Sequence, residues 1–283
     1  MAAELSIKPL LDTPTIALRD IVCRGDCRHK SPEECAQSTY VVFPYRGAYV
    51  RHLGSDEAVA EPNQVLFFNK GESYRISHPV GGGDACLSLA IEEPWLGELV
   101  PKERLQERGT PTFLSQRLRI DAGTQALVAR LRYGLERGSI ETLEAENLVL
   151  ALVRRAVGTR TAHAAKGSIG RKKLVDRTKL ILTSDLSRRW TLAEIASEVG
   201  VSPVYLTQLF QQVEGLPLYR YQLQLRLARA LDLLPRYADL TTLGIELGFS
   251  SHSHFSAAFR QAYRCTPNEL RRCSRVRPSP DQG

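Results

Sequence analysis

The chain has 283 residues, of which 43% are apolar, with 38 Lys and Arg against 31 Asp and Glu, for a net charge of +7. That length suits about two domains with sizeable cores, and no apolar run is long enough for a membrane helix. The acid-bearing N-terminus lacks the basic start and apolar core of a signal peptide, and the six cysteines (Cys23, Cys27, Cys35, Cys86, Cys265, Cys273) have no small secreted framework around them, so reduced thiols in the cytoplasm are expected.

From Thr39 to about Ile91 the pattern predicts short strands. YVVFPYRGAYVRHL reads as two strands around a Pro44–Gly47 turn, and QVLFFNKGESYRISHP as two more around Asn69-Lys70-Gly71. Cys86–Ile91 is a further strand, entered from Gly81–Asp84. Short strands with glycine turns predict a small barrel or sandwich. Its interior would offer Tyr40, Phe43, Tyr49, Arg51, Phe67 and Tyr74 as walls of an effector pocket, with His52 and His78 as polar handles. Alternation alone does not choose the inward face. Upstream, Cys23-x3-Cys27-x-His29 with Cys35 sets thiolates and an imidazole at short spacing, a donor set suited to zinc or another soft metal. The spacing matches no strong zinc signature, so idle thiols are the favoured reading, with metal or redox sensing as the alternative.

Helical periodicity returns between Asp121 and Val157. Leu127, Val128, Leu131 and Leu135 form one stripe, and Leu148, Val149, Leu152 and Val153 another, separated at Gly138-Ser139. These stripes either cover the barrel or meet a second copy of the chain. Residues 158–170, GTRTAHAAKGSIG, read as a flexible linker.

Beyond the linker two similar units follow. In TLAEIASEVGVSPVYLTQLFQQ, Thr191 and Glu194 make a capping box. Leu192, Ile195, Ala196 and Val199 form an apolar face, and Gly200 supplies a left-handed turn. Ser202 then caps a second helix with Pro203 at its first position. That helix buries Leu206, Leu209, Phe210 and Val213, leaving Val204, Thr207, Gln208 and Gln211 outward. RYQLQLRLARALDLL predicts a long joining helix over 217–234, with Arg226 and Arg229 off its apolar face. In the second unit Leu243, Ile245, Leu247 and Phe249 are the expected support, Gly248 the turn and Ser251 the cap. Phe255, Ala258 and Phe259 are expected inside; His252, Ser253, Ser256, Ala257 and Arg260 face out. Thr266-Pro267-Asn268-Glu269 starts a short closing helix with another capping box. Charge divides the chain at the same place: residues 167–283 hold 17 basic and 10 acidic side chains, a surplus of seven, while residues 1–166 balance at 21 each. A neutral half joined to a basic half is the asymmetry expected when one end meets phosphate.

TLAEIASEVGVSPVYLTQLF, LPLYRYQLQLRLARALDLL, ELGFSSHSHFSAAFRQAY and TPNELRR resemble the DNA-binding domain of the AraC/XylS family of bacterial transcriptional regulators, over about a third of the chain. The strands ahead of them look, more weakly, like the cupin-type sensor domain that often precedes it. The resemblance implies an α+β, two-domain chain. Residues 1–157 would be a cupin-like β-barrel for sensing and dimerisation, helical over about 121–157. Residues 158–170 would be the linker, 171–273 an all-α domain with two helix-turn-helix motifs joined by a long helix, and 274–283 a tail. Position by position, Val204, Thr207 and Gln208 match base-reading positions of the first recognition helix, with Gln211 nearer the phosphates. His252, Ser253, Ser256 and Ala257 match those of the second, with Arg260 toward phosphate. Arg220, Arg226 and Arg271-Arg272 are expected on the DNA backbone. Implied partners are double-stranded promoter DNA, RNA polymerase, a small-molecule effector and a second copy of the chain; no cofactor is implied. Cupin enzymes use a tight His-x-His, a following Glu and a later His, whereas His52 and His78 stand alone, so no enzyme is expected. Two departures stand out: Arg264 replaces a common glycine, which implies either a slightly strained backbone or a different loop, and Ala257 replaces a long basic or polar residue, which implies weaker base reading by the second helix.

Overall fold

The computed structural model describes residues 5–25, 28–106 and 111–274, with side chains through Arg272. The chain opens with nine strands: β1 (Leu5–Asp12), β2 (Ile16–Cys23), β3 (Glu34–Cys35), β4 (Thr39–Arg46), β5 (Tyr49–Leu53), β6 (Asp56–Ala60), β7 (Gln64–Phe68), β8 (Ser73–Ser77) and β9 (Asp84–Ile91). Then come α1 (Glu93–Leu99), the short strands β10 (Leu105–Gln106), β11 (Thr112–Phe113) and β12 (Arg117–Arg119), and helices α2 (Ala122–Glu136) and α3 (Thr142–Val157). One sheet has the order β1-β2-β9-β4-β7-β12 and a second β3-β8-β5-β6, while β10 and β11 pair apart from both.

The strands flanking Gly47 and Gly71 are where the sequence puts them, but they do not pair as hairpins. β4 pairs with β7 and β9, and β5 with β6 and β8, so the chain changes sheet at each turn. β4 runs through Pro44 to Arg46 and is buried on both faces, as a central strand must be. The sheets face each other across Val42, Tyr49, Ala60, Leu66, Phe68 and Cys86 without joining into one closed ladder. The opposite face of the larger sheet, with Leu18, Val41, Phe43, Phe67, Leu87 and Leu89, is covered by Val128, Leu131, Val149, Leu152 and Val153 of α2 and α3. Those two helical stripes therefore close the sheet.

Seven helices follow among the described residues: α4 (Ile169–Ser184), α5 (Leu192–Val199), α6 (Pro203–Glu214), α7 (Leu218–Leu233), α8 (Leu240–Glu246), α9 (His252–Tyr263) and α10 (Pro267–Ser274). Residues 158–170, read from their composition as a flexible linker, are held in place. Arg119 and His163 exchange both backbone hydrogen bonds, at 2.8 and 2.9 Å, extending the edge at β12. The His163 ring sits 3.0 Å from the Val213 carbonyl and covers Gly215, and α4 begins at Ile169, inside the expected linker. Small polar residues permit flexibility; backbone hydrogen bonds tie this segment down at His163 and at Lys166, whose amide donates to the Val213 carbonyl.

The β-rich and helical halves meet through buried polar groups. Arg117 of β12 pairs with Asp176 of α4 at 2.8 Å, and Lys179 of α4 pairs with Glu214 of α6 at 2.7 Å. Lys179 has no exposed surface and Glu214 almost none. Arg119 Nε donates to the Glu214 carbonyl, Gln64 Nε2 donates to the Tyr221 hydroxyl at 2.8 Å, and that hydroxyl donates to Glu61. Further along, Arg132 of α2 pairs with Asp232 of α7 at 2.8 Å, its guanidinium stacked 3.7 Å from the Tyr45 ring centroid. Ala129 and Tyr133 of α2 join the apolar core of the second helix-turn-helix unit, and Tyr263 of α9 donates to Gln125.

Burial alone would raise the Glu214 carboxyl, but Lys179 and Arg117 outweigh it and hold it below its ordinary value of 4.5. A depressed carboxylate contributes stability that is present above its unfolded pKa and lost as pH falls through the folded one. Glu214→Gln leaves buried cations short of an anion and is expected to cost about 3 kcal/mol or more at neutral pH. Urea unfolding of both proteins across pH checks this: the gap should narrow as pH drops below the ordinary carboxylate range. A gap that stays constant into acid would assign the cost to packing instead.

Candidate nucleic-acid interface

Each helix-turn-helix unit is built as its residue types dictate. Thr191 Oγ1 accepts from the Glu194 amide at 3.2 Å while Glu194 accepts from the Thr191 amide at 2.7 Å, completing the capping box. Those amide and hydroxyl donors, with Arg188, hold the Glu194 carboxyl down to about 2. Gly200 takes φ 76°, the left-handed conformation needed between α5 and α6, and Ser202 accepts from the Tyr205 amide to cap α6. Ile195, Ala196, Val199, Leu206, Leu209, Phe210 and Val213 form one apolar core with α4 and α7. In the second unit Asp239 caps α8 through the amides of Thr241 and Thr242, and Ser251 caps α9. Leu243, Leu247, Phe249, Phe255 and Phe259 are its core, but Ile245 is 59% exposed and not part of the support the sequence suggested. Helix α8 is only seven residues long, so a single-residue rotation decides which side chains it buries.

The outward faces follow the sequence. Val204 is 69% exposed; Gln208 and Gln211 are exposed on the same helix, and Thr207 is half-buried with its hydroxyl donating to the Pro203 carbonyl at 3.0 Å. On α9, His252, Ser253, Ala257 and Arg260 are exposed, and Ser256 lies 3.3 Å from the His252 ring. Two exposed residues that the sequence reading passed over share these surfaces. Tyr205 follows Val204 in the first turn of α6, and His254 is in the first turn of α9 with its ring against Ser250 and Phe249. Their positions in the first turns of α6 and α9 were the available signal, since those turns enter the groove first in this motif.

The basic residues divide. Arg220 is exposed and donates to the Tyr219 hydroxyl. Arg226, expected at the DNA backbone, turns inward: Nε donates to the Leu186 carbonyl at 2.8 Å, one terminal nitrogen to Arg188 at 2.8 Å and the other to Gly248 at 3.2 Å. One guanidinium thus ties the loop before the first unit to the turn of the second. Gly248 permits this closeness, since a Cβ there would lie 2.5 Å from the Ser187 carbonyl oxygen and 2.8 Å from the Arg226 guanidinium. Arg271 likewise donates to the carbonyls of Tyr237 and Ala238, whereas Arg272 is exposed. Helix α7, with 16 residues, spans about 24 Å between the units.

The effector residues read from the β half separate into two groups. Tyr40, Tyr49, Tyr74 and His78 line a cavity of about 650 Å³ between the sheets. Arg51 does not line it: it is wholly buried behind Phe68 and Tyr74, 4.1 Å from the Phe68 ring, and bound to Glu72 and the Phe67 carbonyl. His52 points to the other face of its sheet, against Ser77 at 2.8 Å and Glu57 at 3.2 Å. Phe67 lies in the helix-covered core, stacked on Phe113; its neighbour Phe68 faces the cavity. Of the metal candidates, Cys27 lies outside the described residues. Cys23, His29 and Cys35 line the cavity, but only Cys23 joins a metal-compatible group, with His78 and Asp84.

Comparison with known proteins agrees with this geometry. A family model described as a helix-turn-helix domain matches residues 195–273. The HTH-type transcriptional regulator GadX of Escherichia coli O6:H1 is 24% identical over 235 residues, spanning 83% of this chain and 82% of that protein. The arabinose operon regulatory protein of Salmonella typhimurium is 27% identical over 80% of each chain, and the HTH-type transcriptional regulator ArgR of Pseudomonas aeruginosa 36% identical over 32% of this chain and 28% of its own. Among solved structures, an AraC-type transcriptional regulator from Chromobacterium violaceum is 31% identical, covering 38% of this chain and 96% of its own with a TM-score of 0.36. ToxT from Vibrio cholerae is 10% identical, covering 93% of this chain and 99% of its own at a TM-score of 0.38.

At the C-terminus of α9, Arg264 adopts φ 61°, the left-handed conformation its departure from glycine implied, and it is the one such non-glycine among the described residues. A side chain costs about 1 kcal/mol there, so Arg264→Gly is expected to raise thermal stability slightly, the gain being partly offset by greater unfolded-chain entropy. A lower melting temperature in calorimetry would mean the arginine makes compensating contacts. With two capped, glycine-turned helix pairs held at a fixed spacing by one helix and one guanidinium, and with these relatives, the chain is a DNA-binding transcriptional regulator of the AraC/XylS family.

Proposed function

We propose that this regulator reads double-stranded promoter DNA sequence-specifically with α6 and α9, acts as a cytoplasmic homodimer, and responds to a small effector held between its two sheets. The observation that carries this reading is the way both recognition units back onto the cavity-bearing domain. The first is seated through Lys179, Glu214 and Tyr221, the second through Arg132, Tyr133 and Gln125. A change in the sheets therefore reaches both reading helices at once. Bound beside a promoter, the protein recruits or blocks RNA polymerase. The cavity falls in the size range of small-molecule sites, and its walls combine aromatic rings with a polar end.

On α6, Gln208 is the residue suited to paired hydrogen bonds with an adenine, and Val204 to a thymine methyl. The long spacer α7 suits entry of α6 and α9 into successive major grooves, about 34 Å apart along B-DNA. Residues 158–170 and 171–273 serve as connector and reader in this scheme, with 1–157 as the sensing and dimerisation domain.

The decisive experiment is selection of random duplexes by the full-length protein at physiological salt. A recovered motif spanning two helical turns supports the reading, whereas affinity that falls steeply with salt and ignores sequence would point to a non-specific DNA binder. Against the selected site, Gln208→Ala should cost about 1–3 kcal/mol at one base position, and unchanged preference there would remove Gln208 from the base-reading set. Arg260→Ala should weaken all sequences alike and reduce the salt slope by about one, and a sequence-selective loss would contradict its phosphate role.

A further inference from the structure

We infer that Cys23, His78 and Asp84 form a binding site for a zinc-class divalent cation in the wall of the inter-sheet cavity. Their donor atoms all lie within 4.8 Å of one another, with His78 Nε2 and Asp84 Oδ2 3.0 Å apart. Among the described residues this is the one such group. Ligands on tetrahedral zinc, bonded at about 2.0–2.3 Å, stand about 3.3–3.8 Å from each other, so shifts of about an ångström or less complete the site.

The fold makes the cluster. Cys23 ends β2 directly opposite Asp84, which starts β9, and the two side chains leave the same face of the larger sheet. His78 follows β8 of the facing sheet. Two glycines set these backbones in place. A Cβ on Gly47 would lie 2.1 Å from the Gly83 carbonyl oxygen, and one on Gly83 would lie 2.4 Å from the Cys23 carbonyl oxygen. The loop entering β9 is therefore pressed against the end of β2 in a way no side chain at either position would allow.

Two further observations point to a ligand. Asp84 is 95% buried by its relative exposure of 5%, and among the described residues its Oδ2 has no hydrogen-bond donor beyond the contact with His78, and the buried His78 Nδ1 has no hydrogen-bond partner. The charges suit a dication as well. Binding would release the Cys23 thiol proton to solvent, and one thiolate, one carboxylate and a neutral imidazole around M²⁺ leave a neutral site, which burial favours. Sulfur, nitrogen and oxygen donors together select a borderline ion such as zinc over calcium or magnesium. Three protein ligands leave a fourth position open toward the cavity, and the ion would join the two sheets at one end.

This inference builds on the cavity as a sensing site, but the binding measurement stands apart from DNA. Metal-stripped, tag-free full-length protein is titrated with Co(II) and followed by absorption. One equivalent should bind with a thiolate-to-cobalt charge-transfer band and the intense visible bands of a tetrahedral ion, and Zn(II) should displace it. Cys23→Ser should abolish the charge-transfer band, and Asp84→Asn and His78→Gln should each weaken binding roughly tenfold or more. Cys35→Ser, at an exposed position outside the three-residue group, should leave the cobalt spectrum unchanged. Absence of a thiolate band in the wild type, or a band that survives Cys23→Ser in folded protein, overturns the site. If Cys23→Ser does not fold by circular dichroism, the wild-type band and the Asp84 and His78 variants decide. Operator binding with zinc and with chelator then separates the two readings: cobalt binding as expected with unaltered DNA affinity retains the site and removes its role in sensing.

Discussion

The placement of both reading helices depends on charge that is buried without being lost. Lys179, Glu214, Asp176 and Arg117 sit where the β-rich and helical halves meet, and each would be costly to bury alone. Together they satisfy one another in a single arrangement, with Tyr221 and Gln64 extending the network and Arg132 and Asp232 repeating the device further along. An apolar seam of the same extent would hold the halves in many nearly equivalent registers. A seam of paired charges holds them in one. It also separates at less cost than an apolar core, because its groups regain water when exposed. Buried ion pairs are weak evidence for stability; here their contribution is orientation.

Within the helical half the same logic runs at shorter range. Each helix-turn-helix unit has its own apolar core, so each could fold in more than one orientation relative to the other. Arg226 removes that freedom by donating to three carbonyls, two before the first unit and one at the turn of the second. A planar guanidinium spreads its donors over three nitrogens in a fixed fork and so reaches three separated carbonyls, whereas a lysine's donors all leave one nitrogen. Gly248 is then fixed twice, by its left-handed backbone and by the lack of room for any Cβ. In the sequence Gly248 reads only as a turn residue.

What the sequence disclosed is what is local. Capping boxes, turn glycines and the apolar faces of α6 and α9 rest on local spacing and are found where the pattern puts them, whereas α5 buries Ile195, Ala196 and Val199 but leaves Leu192, in its first turn, 38% exposed. Arg226 was misplaced because its partners lie 22 to 40 residues away, and nothing in a basic residue on a helix face distinguishes a phosphate contact from a carbonyl contact. The charged seam was invisible for the same reason, the pairs that cross between the two halves being separated by 59 to 160 positions. The cavity was half-legible. Strand alternation gives two candidate faces, and it is Phe68 rather than Phe67 that faces the cavity, since a shift of one residue exchanges the faces of a strand. His29 and Cys35 were grouped with Cys23 by proximity in sequence, whereas the register of β2 and β9 sets Cys23 against Asp84.

Strand β7 shows how an occupant of the cavity would have to act. Phe68, at one end, faces the cavity; Gln64, four residues away, donates to Tyr221 at the seam. The strand covers about 13 Å between them and is paired on both sides, so it moves as a unit or not at all. A ligand that merely fills space beside Phe68 shifts nothing, however tightly it binds, unless it prefers one placement of the two sheets over another. An occupant joined to both sheets meets that requirement, because its bonds lengthen when the sheets part. An occupant resting on one sheet does not. The side chains that span the gap, Cys23 and Asp84 from one sheet and His78 from the other, are therefore the point at which an occupant of the cavity would acquire leverage on the strand that ends at the helical half.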